Sequence, residues 1–353
     1  MIFVLSADVD DPGAPSGGNV YDRRMCQALA AAGKAPREIK VAGSWPRPDA
    51  GARSELSRAL AGVPDGEVVL IDGLVACGVP EVVTPHARRL HLVVLLHLPL
   101  AEETGLEPDE AADLDARERR TLGAASAVVV TGPAVAGRVI RHHGLSAERV
   151  HVVIPGTDPA PLAPGTDGVS RLLCVASVTV RKGQDLLVEA LATMAGPQWT
   201  CEFTGPVRDP GYLRRLREAT ERHGISGRVT FTGPRTGEAL AATYAAADLV
   251  VLPSRAETFG MVVTEALARG IPVLATRTPG VPEALGRAPD GSVPGLLVPP
   301  DDATALAVAL RSWFGDEESR RRLKRSAHLR RGMLTTWDET SRHLAQVLKM
   351  TVM

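Results

Sequence analysis

Aromatic side chains make up only 3% of the 353 residues. Stacking platforms for bases or a bound oligosaccharide are therefore sparse, and Ala, Val and Leu must supply the core. No charge of one sign predominates: 40 Lys and Arg against 41 Asp and Glu give a net charge of −1, with no general attraction to nucleic acid or an anionic membrane. No apolar run approaches the length of a membrane span. Cysteine is scarce, and Cys26, Cys77, Cys174 and Cys201 form no Cys-x-x-Cys pair. Reduced, buried thiols in a cytoplasmic protein fit that spacing better than a disulfide framework. The start, Met1-Ile2-Phe3-Val4-Leu5, has no basic segment and meets acids by Asp8, so it reads as a first strand and not a signal peptide.

What is present is enough apolar residue, 44%, for two domains with full cores. Strand-like runs recur at Glu38–Ala42, Glu67–Asp72, Leu90–His97, Ala127–Thr131 and Val150–Ile154, then at Leu172–Ala176, Thr200–Thr204, Arg228–Thr232 and Asp248–Leu252. Helix-compatible stretches separate them, including a charged one from Pro108 to Leu122. This alternation predicts an α/β protein with doubly wound, mostly parallel sheets, whose ligands bind beyond the carboxyl ends of the strands. Between Pro159 and Gly168 the chain is rich in Pro, Gly and Ala and reads as an interdomain linker.

The chemistry is expected at Pro253-Ser254-Arg255-Ala256-Glu257-Thr258-Phe259-Gly260-Met261-Val262-Val263-Thr264-Glu265-Ala266. After a buried strand, Thr258 stands where a helix N-cap would, and Gly270 is a plausible stop. Val262, Val263, Ala266 and Leu267 would form the buried stripe. The free amides from Phe259 to Met261 suit a phosphate, with Gly260 permitting close approach. Glu257 and Glu265 would then accept hydrogen bonds from sugar hydroxyls. Earlier, a glycine-rich loop from Ser6 to Asn19 containing Gly17 and Gly18 precedes a helix running to Gly33, a device for approaching phosphates. Asp8-Val9-Asp10 matches an Asp-x-Asp metal motif, but it follows the first strand and is discounted.

The Glu-x7-Glu spacing, followed by Ala-Leu-Ala-Arg-Gly-Ile-Pro-Val, resembles the signature of family 4 of the retaining, nucleotide-sugar-dependent glycosyltransferases of the GT-B fold. The resemblance covers most of the chain and is strongest from Leu172 to Val298. It implies two doubly wound Rossmann-like domains facing a central cleft: an acceptor-binding domain over 1–160, a nucleotide-sugar-binding domain over 161–332, and a final helix within 333–353 that crosses back to the first domain. It also implies that Glu257 contacts the transferred sugar and Glu265 the ribose, that Gly17 and Gly18 line the cleft, and that His97 lies beside the sugar. Lys182 matches the family's lysine on the donor phosphates. Ser177 stands where the family has arginine, so either Arg181 replaces it, or phosphates are held more weakly, or activity is lost. Gly233, Pro234 and Arg235 are candidates for the base edge.

These readings lead to a metal-independent, retaining transfer from a nucleotide-diphosphate sugar, UDP-sugar before GDP-sugar, to a soluble small-molecule acceptor. No cofactor, nucleic acid or integral membrane segment is expected. Two alternatives stay open. A sugar-nucleotide 2-epimerase shares the fold but needs a dense cluster of carboxylates and histidines, which the sequence does not reveal; a non-catalytic binding subunit is suggested by Ser177. The pair His142-His143, with no acid or cysteine at ligand spacing, reads as surface, and the arginines from Arg320 to Arg331 as a solvated helix face.

Overall fold

Runs such as Val68–Asp72, His91–Leu96, Ala127–Val130 and Leu249–Leu252 are buried almost end to end, as strands covered by helices on both faces must be. The computed structural model describes every residue except Ala14, Thr104, Ala195, Pro197 and Met353. Among the described residues it contains two six-stranded sheets, every recorded strand pair being parallel.

The first sheet comprises β1 (Ile2–Ser6), β2 (Arg37–Val41), β3 (Val68–Asp72), β4 (His91–Leu96), β5 (Ala127–Val130) and β6 (Val150–Val152), in the order β2-β1-β3-β4-β5-β6. The second comprises β7 (Arg171–Val175), β8 (Thr200–Thr204), β9 (Val229–Gly233), β10 (Leu249–Leu252), β11 (Val273–Thr276) and β12 (Gly295–Val298), in the order β12-β11-β10-β7-β8-β9. The order reverses between β1 and β3 in the first sheet and between β7 and β10 in the second. Those are the positions where α/β sheets open a crevice for ligands.

Each sheet has its own core. One is built from residues such as Val4, Ile71, Val94 and Val128, the other from Leu172, Leu187, Phe203, Val251 and Trp313. Nine of the twelve aromatics are buried, which leaves little aromatic surface for ligand stacking. All four cysteines are free and buried. No described helix is long and apolar enough to cross a membrane.

Compactness divides the chain into an N-terminal unit of Met1–Asp11, Gly17–Gly156 and Thr335–Met353, and a C-terminal unit of Pro12–Ser16 and Thr157–Leu334. The last helix, Trp337–Met350, packs against the helix Gly17–Ala31 of the N-terminal unit, with Trp337 edge-on to Tyr21 at 5.7 Å.

The segment read as a linker is not a free tether. Ala163 N–H donates to Arg269 O and Gly165 N–H to Ala245 O, both at 2.9 Å. Buried Asp248 accepts from the amides of Thr166, Gly168 and Arg171 and from Thr166 Oγ1 at 2.6–3.1 Å. The basic tail also departs from expectation. Arg320 donates to Trp313 O and Phe314 O, Arg330 to Leu285 O, and Arg331 to Ala268 O and Ala160 O. These guanidiniums close off helix-end and loop carbonyls, and the face is only partly solvated.

Asp248→Ala removes four acceptor contacts at once and leaves three amides without their carboxylate. A loss of about 3 kcal/mol is expected in urea unfolding. A loss below about 1 kcal/mol would show that this docking does not hold residues 163–171 in place.

Candidate active site

At the reversal in the second sheet, the loops after β7 and β10 leave from adjacent strands. After β7 the chain makes a short 3-10 turn, Val180–Lys182, and passes through Gly183 at φ +66°. A Cβ there would lie 2.1 Å from Pro253 O, so only glycine lets the two loops approach so closely. Arg255 straps them further. Its amide donates to Arg181 O at 2.7 Å, and its guanidinium donates to Val180 O at 2.6 Å and bidentately to Asp185 at 2.8 Å. Its Nε reaches Asp301 at 2.6 Å.

Held this way, Lys182 Nζ lies 2.5 Å from Glu257 Oε1, which also accepts from Ser254 Oγ at 2.8 Å. Glu257 is buried. Burial alone would raise its carboxyl, but the charges of Lys182 and then Arg181, with the Lys182 and Ser254 hydrogen bonds, hold it below its ordinary value. It is a buried carboxylate that stays ionised.

The helix that follows is Met261–Ala268, capped by Gly260 at φ +85° with no side-chain cap bond. Thr258 is therefore not the N-cap. The loop after β11 crosses here: a Cβ on Gly280 would lie 2.0 Å from Thr258 O, and the Gly280 amide donates to Glu257 O at 3.4 Å. The backbone of Thr258 and Phe259 packs against that crossing, and the helix starts later. Its buried face holds Val263, Ala266 and Leu267 as expected, with Thr264 and Ala268 added and Val262 and Met261 half-buried. Glu265 accepts from Tyr244 OH at 2.7 Å, and Arg269 lies 4.4 Å over the Tyr244 ring. Burial pushes the Glu265 carboxyl up, with Tyr244 and Arg269 opposing and Asp158 adding to the rise. The two acids of the Glu-x7-Glu pair thus sit in opposite electrostatic environments.

In the N-terminal unit, His97 stands just past β4 and its Nε2 lies 2.8 Å from Asp22 Oδ1. Asp72 closes β3 and accepts from the Leu74 amide at 2.9 Å. The three side chains can bring one polar atom each within 4.8 Å of one another. Burial, and then the charge of Asp22, pushes Asp72 up to about 7. Burial pulls His97 down, but Asp22 and Asp72 outweigh it and raise it above its ordinary value. Gly17 and Gly18 lie in the first turn of the helix Gly17–Ala31 and not in a loop. Gly18 has a packing reason to be glycine, since a Cβ would come within 3.1 Å of the His97 ring.

Residues 166–330, nearly the whole C-terminal unit, match the family model described as glycosyl transferases group 1. The C-terminal unit carries the group 1 glycosyl transferase match. The chain is 29% identical to a D-inositol 3-phosphate glycosyltransferase of Corynebacterium kroppenstedtii over 76% of its own length, and the alignment spans 61% of that relative. Its fold is similar to that of sucrose-phosphate synthase from Thermosynechococcus elongatus, with a TM-score of 0.79, 24% identity and coverage of 99% and 98% of the two chains. It is also similar to Anabaena HepE, solved with UDP and glucose, with a TM-score of 0.76, 20% identity and coverage of 99% of each chain. The architecture is GT-B, with two Rossmann-like units.

The remaining sequence candidates disperse. Gly233 ends β9, the edge strand two places from β7. Arg235 faces Glu202 at 2.9 Å and Thr243, so Gly233, Pro234 and Arg235 are not gathered with Lys182 and Glu257 by any recorded contact. The turns Thr204-Gly205-Pro206 and Thr232-Gly233-Pro234 share a sequence but differ in packing. Gly205, at φ +154°, is needed because a Cβ would strike Ala176 O at 2.1 Å, whereas Gly233, at φ +74°, has nothing near it. Ser177 offers its carbonyl to Gln184 Nε2 at 2.9 Å, and Arg181 donates to Ala256 O at 3.3 Å. Asp10 of the discounted Asp-x-Asp string is held by Arg23 and Lys40.

Two expectations are corrected outright. A cluster of carboxylates and histidine does exist, at Asp22, Asp72 and His97. And His143 is not at the surface: the two histidines end the helix Pro133–His143 and pair with Asp115 and Glu118, His142 exposed as expected and His143 buried. Sequence reading also passed over Asp22, Asp72 and Arg255. Asp22 shares the i, i+3, i+4, i+7 stripe of Met25, Cys26 and Leu29, a signal that it is buried. Asp72 ends the strand neighbouring that of His97.

Gly183→Ala and Gly224→Ala both place alanine at a left-handed φ, but Gly224 has nothing within 4 Å. The first should cost about 2–4 kcal/mol and the second about 1 kcal/mol in urea unfolding. Equal costs would mean that the approach to Pro253 is unimportant. In a histidine NMR titration, wild-type His97 should titrate above its ordinary value, and Asp22→Asn should bring it below, because burial then prevails. An unchanged titration would remove Asp22 as its partner.

Proposed function

We propose that the chain transfers a glycosyl group from a nucleoside-diphosphate sugar, UDP-sugar before GDP-sugar, to a hydroxyl of a small-molecule acceptor, with retention at the anomeric carbon. The observation that carries this reading is the ionised, buried Glu257 paired with Lys182 at the strand-order reversal, inside the segment matching the group 1 model. HepE was solved with UDP and glucose, which supports a uridine donor. The relative named as acting on D-inositol 3-phosphate makes a small polyol phosphate the first acceptor to try.

In the proposed reaction the acceptor oxygen bonds to the anomeric carbon on the face from which the diphosphate departs. The carbon–phosphate oxygen bond breaks, and the acceptor proton passes to the leaving diphosphate. Lys182, Arg181 and the amides at Phe259, Gly260 and Met261 would stabilise the charge that grows on that leaving group. Lys182 would exchange part of its contact with Glu257 for the phosphates, freeing carboxylate capacity for sugar hydroxyls. Glu265 would hold the ribose hydroxyls. His97, oriented by Asp22, is read as lying beside the transferred sugar. This chemistry asks for no metal cofactor, and the four buried free thiols suit the reducing cytoplasm.

A second reading gains from the cluster of Asp22, Asp72 and His97. Two carboxyls and an imidazole, with Asp72 and His97 both shifted upward, are the acid/base equipment that a sugar-nucleotide 2-epimerase requires.

Calorimetry with UDP and GDP, with and without magnesium, tests the donor site first. Binding of one nucleotide independent of magnesium is expected, weakened at least about tenfold by Lys182→Ala and by Glu265→Ala. Glu257→Gln should lower kcat by about 100-fold or more, with a smaller effect on UDP binding. Failure of both nucleotides to bind would favour a non-catalytic subunit. Epimerised sugar released without acceptor would favour the second reading.

A further inference from the structure

The helices Pro108–Ala124 and Pro133–His143 meet at a cluster that the sugar chemistry does not use. Asp115 and Glu118, three residues apart on the first helix, are neighbours on its surface. His142 and His143 end the second, just before Gly144 at φ +68°. One ligand atom each from Asp115, His142 and His143 can be chosen so that all lie within 4.8 Å of one another. His142 Nε2 already contacts Asp115 Oδ1, while the other Asp115 oxygen is 3.5 Å from Arg119.

His143 supplies the independent observation. Its side chain is only 2% exposed, and its Nε2 lies 2.8 Å from Glu118 Oε1. Glu118 Oε2 accepts from the Leu100 amide at 2.8 Å, so the carboxylate acts as an acceptor on both sides and Nε2 carries the proton. In the neutral ring, Nδ1 then presents a lone pair. Among the described residues this buried Nδ1 has no hydrogen-bond partner. A buried lone pair without a donor is destabilising, and a bound cation would remove that penalty.

We propose that Asp115, His142 and His143 bind one divalent transition-metal ion of the zinc class, with Glu118 orienting His143 from behind. Two imidazoles and one carboxylate are the donor set zinc accepts, with a fourth position left for water. Magnesium and calcium prefer all-oxygen sites. The Glu118–His143 contact is the carboxylate support that metal-bound histidines characteristically have. Tetrahedral zinc holds its ligands about 3.3 Å apart, so the cluster must tighten, and the exposed His142 ring is the member free to turn. The ion would tie the end of one helix to the middle of the other.

The test uses the untagged full chain, stripped with chelator and titrated with zinc chloride and, separately, cobalt chloride. One equivalent of zinc should bind and raise Tm, and cobalt should show the visible absorption of a four-coordinate nitrogen and oxygen site. His142→Ala and Asp115→Asn should each weaken zinc binding by about tenfold or more, and Arg119→Ala should leave it intact. Because His143→Gln risks misfolding, the exposed His142 carries the decision. No saturable zinc binding by the folded wild type, or binding undiminished in both His142→Ala and Asp115→Asn, overturns the proposal. Neither readout involves sugar transfer, so failure of the transferase reading would leave this result unaffected.

Discussion

Where strand order reverses, the connections on either side run to opposite faces of the sheet and a gap opens between them. In the C-terminal unit the loops flanking that gap are kept in register by a backbone approach that excludes any side chain at Gly183, reinforced by the guanidinium of Arg255 spanning Val180, Asp185 and Asp301. Everything of chemical interest there depends on this joint. Without it Lys182 would not reach Glu257, and a carboxyl buried that deeply would lose the cations that keep it charged. Gly280 repeats the device one strand along, against Thr258 O. The loops of the candidate site are therefore fixed by glycines that carry no chemistry themselves.

Much of this was legible in the sequence, and the limits have physical causes. Strands such as β3, β4 and β10 announce themselves as short apolar runs because both their faces are covered. The Glu-x7-Glu string stood out because its residues are consecutive. Contacts that join distant segments did not. The helix start was misplaced by treating Thr258 as a cap, since the crossing loop that displaces the cap comes from Gly280. Asp22 escaped because an acid in an apolar helical stripe looks like an exception until the histidine it serves, 75 residues away, is brought beside it. The segment 159–168 looked like a tether because its composition lacks periodicity, and its order comes from one buried carboxylate, Asp248, much later in the chain. His143 misled for the same reason, its partner being a helix earlier.

The two units distribute charge differently. The C-terminal site balances its buried acid with Lys182 and Arg181, a setting suited to exchanging one anion for another. The N-terminal cluster contains two acids and one imidazole, and burial together with the charge of Asp22 pushes Asp72 up to about 7. One setting favours holding charge and the other favours moving it.

The scarce cysteines have a practical consequence. Cys26 and Cys77 lie in the N-terminal unit, Cys174 and Cys201 in the C-terminal unit, and all four are buried. Burial pushes Cys26 and Cys174 up to about 12 and the other two well above their ordinary value. Alkylating reagents need an exposed thiolate, so modification must await an opening of the surrounding structure. Each half of the molecule thus carries its own internal clock, and the order in which the thiols become labelled reports which sheet loosens first.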